Sequence, residues 1–512
     1  MNRLTRSLAY PAVLGLAAVV VAAPFTPDGP KPSAPPAAPK PEAAGPAPPA
    51  AEKPVDPAAA IKITGAAVET KTAVTPKPLS PAVRKGLEYL VKRQQEDGGW
   101  NQGGGWRTAV NGQGGRVEGK QVEDPSDVGN TCFALLALFR AGSTPTAGEY
   151  KDAVARGLKF VLARVEKADK DSLYVTDVRN TQLQSKIGPY VDTFLANLVL
   201  AEMKGKAGPD EPRLAAALEK TMTKIVKHQT AEGGFAGNAG WAPTLSLGIC
   251  NKGIARAKQN GVEVDQKVLD RALAQSKAAA AGTGAVAAAP PAAATGAVGK
   301  PAGEALAAAP PASTSGDRVA AFGAMRGAGG LGGAGGDAGV RLYSFGQGAG
   351  NSQDVVNSLR VDGAKAEQIL KDSKASKEAK DKAAQTLETL KRAEADNYKV
   401  QEGLAEAVKD RQFVAGFGSN GGEEFLSFLN ISEALLVKGG KDWQEWDAKM
   451  TQGLEKAQDK DGSWAGHHCI TGKTFCTAAA LLVLTADRTP FPADVLKASA
   501  EKKPDAPAPE KK

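Results

Sequence analysis

The chain is poor in the residues that carry most catalysis and cross-linking: its 512 residues include three histidines and four cysteines, and 5% are aromatic. Four cysteines are too few for a disulfide-stapled scaffold. Cys132 and Cys250 lie inside apolar stretches, the usual place for a buried free thiol, and only Cys469 and Cys476 stand close enough in sequence to bridge. No Ser/His/Asp set is present in a credible pattern. The glycine-rich run from Gly327 to Gly336 has no Lys-Ser/Thr after it, which excludes a phosphate-cradling loop. The net charge of +8 is modest for this length. It is carried partly by lysines in the tails and forms no basic stripe interleaved with aromatics, so a nucleic-acid interface is excluded. Large apolar residues are also missing over long segments. Residues 24–60 are dominated by Pro, Ala and Lys, residues 278–340 by Ala, Gly and Pro, and the tail from Ala493 returns to Lys, Pro and Ala. Such segments cannot offset the entropy of ordering them.

What is present divides the chain. Arg3 and Arg6 precede an apolar run from Leu8 to Ala23, so residues 1–23 are expected to be a secretory signal or, if uncleaved, an N-terminal anchor. No Cys lies near the cleavage region, and a lipid attachment is not expected there. Either way the body is expected to be exported, to the periplasm or cell envelope, with membrane association only through an uncleaved N-terminal segment. A Pro/Ala-rich disordered linker is expected over 24–77, foldable sequence over 78–276 and 412–492, an insertion over 277–411 and a disordered tail over 493–512. Within the insertion, 278–340 has linker composition. Residues 352–411 carry thinly spread apolar residues among Lys, Glu and Ala, which predicts a long exposed helix or helical hairpin with little core of its own.

The foldable parts share a repeated phrase: Gln94-Gln-Glu-Asp-Gly-Gly-Trp100 near one end, Gln458-Asp-Lys-Asp-Gly-Ser-Trp464 near the other, and a worn copy, Gln229-Thr-Ala-Glu-Gly-Gly-Phe235, between them. Each follows an amphipathic stretch and precedes an apolar one, which marks a repeating helix-turn-helix unit. In the first unit Val83, Leu87, Leu90 and Val91 recur at helical spacing and leave Lys and Arg on the other face, while Thr131 to Phe139 is apolar nearly all round. The reading is thus all-α, with half-exposed outer helices alternating with buried inner helices over five units, the fourth broken by the insertion. Such pairs must stack on one another to bury their faces. The motif residues Gln94, Asp97, Gly98 and Trp100, Gln229, Gly233 and Phe235, and Gln458, Asp461, Gly462 and Trp464 take structural roles. Asp-Gly makes the turn, and the aromatic with its Gln ties one pair to the next.

The Gln-x-x-Asp-Gly-Ser-Trp phrase followed by a Thr-x-x-Ala-Leu-Leu-x-Leu helix resembles the repeat of squalene and hopene cyclases and of protein prenyltransferase β subunits. The closing passage from Gly439 to Leu484 looks especially like exported bacterial repeat proteins of that group. The resemblance covers about half the chain and implies an α/α toroid with an apolar central cavity. Cyclases of the group use an Asp-x-Asp-Asp acid at an inner-helix start, whereas this chain reads Asp127-Val-Gly-Asn-Thr131, with Gly129 in the acid's place. Proton-initiated cyclisation is therefore not expected. Prenyltransferases of the group bind zinc through Asp, Cys and His at inner-helix starts. Here Asp192, Cys476 and the cluster His467-His468-Cys469 offer suitable ligand types, without the Asp-x-Cys pair and with Cys476 where a His is expected. The thioester segment of complement-like toroids is absent. The expected function is a binding or scaffold module for an isoprenoid or other apolar ligand, or for envelope protein partners. The rival is an enzyme of terpenoid cyclase or prenyltransferase type working through Asp127, Asp192 and Cys476. A third reading is a zinc site drawn from His467, His468, Cys469 and Cys476.

Overall fold

A computed structural model describes residues 60–63, 68–106, 116–117, 124–280, 340–417, 421–493 and 495–496. The expected signal or anchor, most of the Pro/Ala-rich linker, most of the 278–340 segment and nearly all of the C-terminal tail lie outside the described residues. The fold is predominantly α-helical, with three two-stranded antiparallel sheets among the described residues.

The first helix, α1 (Pro81–Arg93), starts where Ser80 Oγ accepts the Val83 N–H and Pro81 occupies the first turn. It buries Val83, Leu87 and Leu90 and leaves its basic face outside, whereas α2 (Val128–Arg140) is buried along its whole length. The alternation continues with α3 (Lys151–Lys167), a short α4 (Gln182–Ile187) and the buried α5 (Val191–Met203). Next come α6 (Glu211–His228) and the buried α7 (Pro243–Gln259), then α8 (Gln266–Ala280) and α9 (Arg341–Lys371). The last elements are α10 (Lys377–Ala407), a short α11 (Arg411–Ala415), the buried α12 (Gly422–Lys438), α13 (Gly440–Ala457) and the buried α14 (Lys473–Leu484). The buried helices pack in succession: α2 on α5, α5 on α7, α7 on α9, α9 on α12, α12 on α14, and α14 back on α2. Outer helices bridge neighbours in this series, as α1 does between α14 and α2 and α13 between α12 and α14.

The repeated phrase makes the same bonds at both ends of the chain. Trp100 Nε1 donates to the Leu90 carbonyl at 2.7 Å and Trp464 Nε1 to that of Leu454 at 2.8 Å. The Trp100 N–H donates to Thr131 Oγ1 and that of Trp464 to Thr477 Oγ1, which anchors each turn on the buried helix that follows. Gln94 Nε2 reaches the Ala153 carbonyl on α3 at 2.9 Å, and Gln458 Nε2 reaches the Ala82 carbonyl on α1 at 2.8 Å. The second of these bonds fastens the last helical pair to the first. Gly98, Gly233 and Gly462 adopt positive φ with the following outer helix pressed against them. A Cβ there would meet the carbonyls of Arg156, Arg271 and Lys85 at 2.7, 2.8 and 2.6 Å.

The structure differs from the sequence reading in three places. Between α8 and α12, which the sequence reading joins in one unit, stand α9, packed on α8, and α10, packed on α9 and α12. The first half of α9 is no exposed helix: Leu342 to Leu359 is almost entirely buried against α7, α8 and α12. Its buried face is built from Gly346, Gly348, Ala349, Gly350 and polar side chains such as Gln347, Asn351 and Asn357. Small residues let backbones approach; a Cβ on Gly350 would stand 2.8 Å from Asn430 Cβ. The expected linker also becomes ordered before residue 77. β1 (Ile61–Ile63) pairs antiparallel with Val262–Val264, and β2 (Thr70–Thr72) with Pro490–Pro492, so short β-branched stretches tie the segment down.

The middle and last turns of the buried helices carry a compensated ionic network. Arg140 Nη2 stands 2.7 Å from Glu202 Oε1 and Nη1 stands 3.0 Å from Glu433 Oε1. Lys252 binds Asp354 at 2.6 Å and also Glu433, and Arg256 Nη2 reaches Asp354 at 2.9 Å and Glu433 at 3.1 Å. All six side chains are at most 5% exposed. Burial opposes ionisation of Glu433, yet the Lys252, Arg256 and Arg140 charges outweigh it and hold its carboxyl far below the usual range.

Candidate functional site

The candidate residues gather at the starts of the buried helices and in the loop before α14. Asp127 caps α2: its Oδ1 accepts the Asn130 N–H and its Oδ2 accepts Asn130 Nδ2, each at 2.8 Å. Asp192, in the first turn of α5, accepts the Gly129 N–H on Oδ1 at 2.8 Å and Gln184 Nε2 on Oδ2 at 2.6 Å. The two carboxylates face one point, because a Cβ added to Gly129 would meet Asp192 Oδ1 at 3.3 Å and Asp127 Oδ1 at 3.4 Å, with Leu183 Cδ1 at 2.9 Å. There is no room for an acidic side chain at Gly129. Burial, then the Asp192 charge, pushes the Asp127 carboxyl up to about 7, and burial also raises Asp192, so the pair favours holding a proton.

A second cluster forms where α12 begins. Glu423 is fully buried; its Oε2 accepts the Ile470 N–H at 3.2 Å, and its Oε1 has no hydrogen-bond partner. Glu424 accepts the Tyr343 hydroxyl at 2.6 Å and the Phe417 N–H at 3.0 Å on Oε1, and the Gly421 N–H at 3.0 Å on Oε2, which also lies 3.5 Å from His468 Nε2. Burial, then the Glu424 charge, pushes the Glu423 carboxyl up to about 8. Burial and the Glu423 charge push the Cys469 thiol up to about 12. One donor atom from each of Glu423, His468 and Cys469 lies within 4.8 Å of the others. The short helix α4 ties the two clusters together. Gln184 holds Asp192, while Gln182 exchanges bonds with Thr471, at 3.1 Å to Oγ1 and 3.0 Å from the N–H.

The structure thus assembles the sequence candidates differently. Asp127 and Asp192 meet, but Cys476 does not join them: its Sγ donates to the Ile470 carbonyl at 3.4 Å, buried on the side of Glu423 and Glu424. Of the expected metal set, His468 and Cys469 come together, whereas His467 is exposed and neither His467 nor Cys476 belongs to the close cluster. Glu423 takes their place; its one sequence signal is an acidic pair, Glu423-Glu424, opening an otherwise apolar helix. All four cysteines are free, so Cys469 and Cys476 form no bridge. Compared with known proteins, the chain matches no family model and no curated protein.

Proposed function

We propose that this chain is an exported binding or scaffold module of the α/α-toroid type, using the repeat grammar of squalene cyclases and prenyltransferases without terpene cyclase chemistry. The reading is supported foremost by the start of α2. The position where cyclases of that group carry their acid is Gly129, closed by Leu183 and two carboxylates, and those carboxylates are already occupied in capping α2 and holding α4. The cyclic succession of buried helices and the Gln458 bond back to α1 fit a toroid. Its occupant would be an isoprenoid or other apolar ligand, or an envelope protein. A zinc ion held as in the resembled prenyltransferases does not fit Asp192 with Cys476, since Asp192 binds Gly129 and Gln184 whereas Cys476 turns to a carbonyl in the other cluster.

A second reading, an enzyme with a non-standard acid, is favoured by the buried Asp127–Asp192 pair, whose raised Asp127 carboxyl would be a proton donor near neutrality. Native mass spectrometry of the full chain purified from a bacterial envelope, with cross-linking in parallel, separates the two. The binding reading expects a retained non-covalent mass or a cross-linked envelope partner that persists in Asp127→Asn. Turnover of a polyprenyl substrate that Asp127→Asn abolishes would replace it with the enzyme reading. A clean apo mass with no cross-linked partner would refute it.

A further inference from the structure

We infer that Glu423, His468 and Cys469 form a binding site for a divalent transition-metal cation of the zinc class, a set in which Glu423 stands in place of the Asp192 and Cys476 that the family resemblance offers. The donor types decide the class. One thiol sulfur, one imidazole nitrogen and one carboxylate oxygen suit zinc and its neighbours, whereas calcium and magnesium take all-oxygen shells. Three protein ligands leave a fourth position for water or a bound group, the arrangement of an open zinc site. Tetrahedral ligation places donor atoms roughly 3.3–3.8 Å apart, so a cluster already within 4.8 Å needs only a small contraction.

One further observation points to a cation, and a second shows how the loop presents its thiol. Glu423 is fully buried, and no hydrogen bond from outside the cluster answers its Oε1, which has the Cys469 thiol for a neighbour. A buried carboxylate oxygen left unsatisfied is costly unless a charge or a donor answers it. Cys469 adopts a left-handed backbone, φ 51, one of two non-glycine residues to do so among the described residues. That conformation is unfavourable for a residue with a Cβ and persists only where its surroundings enforce it. Here the enforcement is visible on both sides: His468 is bridged to Gly421, and the Ile470 carbonyl accepts the Gly422 N–H at 2.9 Å while its N–H donates to Glu423. The chain between these two anchors is thereby turned so that the Cys469 thiol lies against Glu423. Glu424, whose Oε2 lies 3.5 Å from His468 Nε2, places a second carboxylate beside the imidazole, as outer carboxylates do around metal-bound histidines. His468 and Cys469 are partly exposed, so a cation can enter from solvent.

The test is a cobalt titration of the chelator-stripped full chain. We expect one Co²⁺ per chain, with a thiolate-to-cobalt charge-transfer band that equimolar Zn²⁺ bleaches. Cys469→Ser should remove the band. So should Cys469→Gly, which relaxes the left-handed backbone and keeps the chain folded. Glu423→Gln should weaken binding by on the order of ten- to a hundredfold, with helical circular dichroism unchanged. His467→Ala and Cys476→Ser should leave the titration as it is in the parent. Absence of saturable cobalt uptake at micromolar metal, or a band that survives Cys469→Gly or vanishes in Cys476→Ser, overturns the site. None of these outcomes depends on whether the module binds an apolar ligand or a protein.

Discussion

Gly157→Ala should destabilise this protein, although a glycine-to-alanine change inside a helix is ordinarily worth about 1 kcal/mol in its favour. Gly157 lies in the middle of α3, where an added methyl would stand 2.7 Å from Trp100 Cζ3 and 2.8 Å from Leu135 Cδ2. Trp100 cannot give way, being fully buried with its N–H fixed on the Leu90 carbonyl and its backbone N–H on Thr131. Overpacking of this kind costs about 1–3 kcal/mol, so after the propensity gain of about 1 kcal/mol the net loss should be up to about 2 kcal/mol. Trp100→Phe alone should cost roughly 2 kcal/mol through the lost hydrogen bond and indole volume. The double variant should then lose less than the sum, with a coupling of about 1 kcal/mol, because a phenyl ring does not reach the new methyl. The chain carries that compensation already. Gly98 presses on Arg156, just before Gly157, and Gly462 on Lys85, just before Gly86, whose added Cβ would stand 2.8 Å from Trp464 Cζ3. In the worn copy Gly233 presses on Arg271, the next residue is Ala272, and the aromatic is Phe235. Urea unfolding of the four species of the cycle measures the terms. A stabilising Gly157→Ala, or strict additivity with Trp100→Phe, would refute the idea that glycine is there to seat the indole.

Three other outcomes are expected. Glu433→Gln should cost about 3–5 kcal/mol, since it leaves buried cations uncompensated. Because the carboxyls of Glu433 and Glu202 are depressed on folding, their contribution is complete above the unfolded-state value of about 4.3 and is lost as pH falls below it. The stability gap between parent and variant, read by unfolding at pH 7 and pH 3, should therefore narrow in acid. Asp127 behaves oppositely: its folded pKa is raised to about 7, so ionising it costs stability as pH rises from the ordinary Asp range through neutrality. Asp127→Asn keeps an oxygen for the Asn130 N–H and should stabilise more at pH 8.5 than at pH 5; an equal effect at both would contradict the raised pKa. Alkylation of the native, non-reduced chain should label Cys469 and spare Cys132, Cys250 and Cys476 until unfolding, and an intact mass two hydrogens short would restore the bridge between Cys469 and Cys476.

The repeat was legible in the sequence because its signals are local. A Gln, an Asp-Gly turn and an aromatic at fixed spacing between an amphipathic and an apolar helix say which residues meet, and Gln94, Gln458, Trp100 and Trp464 make the corresponding bonds. The helical hairpin over 352–411 was legible, but the burial of the first half of α9 was not, since hydrophobic periodicity does not register a face built partly from Gly346, Gly350 and amide side chains that bond to one another, such as Asn430 to Gln347 at 2.9 Å. The Asp127–Asp192 meeting could be anticipated from both residues standing at inner-helix starts. Glu423 could not, because its role depends on the loop before α14 folding back over the first turn of α12, a contact between residues 47 positions apart.

Charged groups at the two levels of the buried helices face the same burial and reach opposite states. Glu433 and Glu202 stay ionised because Arg140, Lys252 and Arg256 stand beside them, and Glu433 is depressed despite full desolvation. Asp127, Asp192 and Glu423 sit at helix starts, where exposed N–H groups favour negative charge, and still their carboxyls are raised. Helix termini supply tenths of a kcal/mol to about 1, too little to balance removal from water without a cation. Evenly matched charges serve cohesion, whereas unanswered acids await a proton or a cation. The two levels should therefore separate experimentally. Glu433→Gln should lower the unfolding midpoint while leaving cobalt uptake by the folded chain intact, and Glu423→Gln should abolish or weaken uptake while leaving the midpoint unchanged or raised. If Glu423→Gln destabilised the metal-free chain as much as Glu433→Gln, the start of α12 would be one more structural ion cluster.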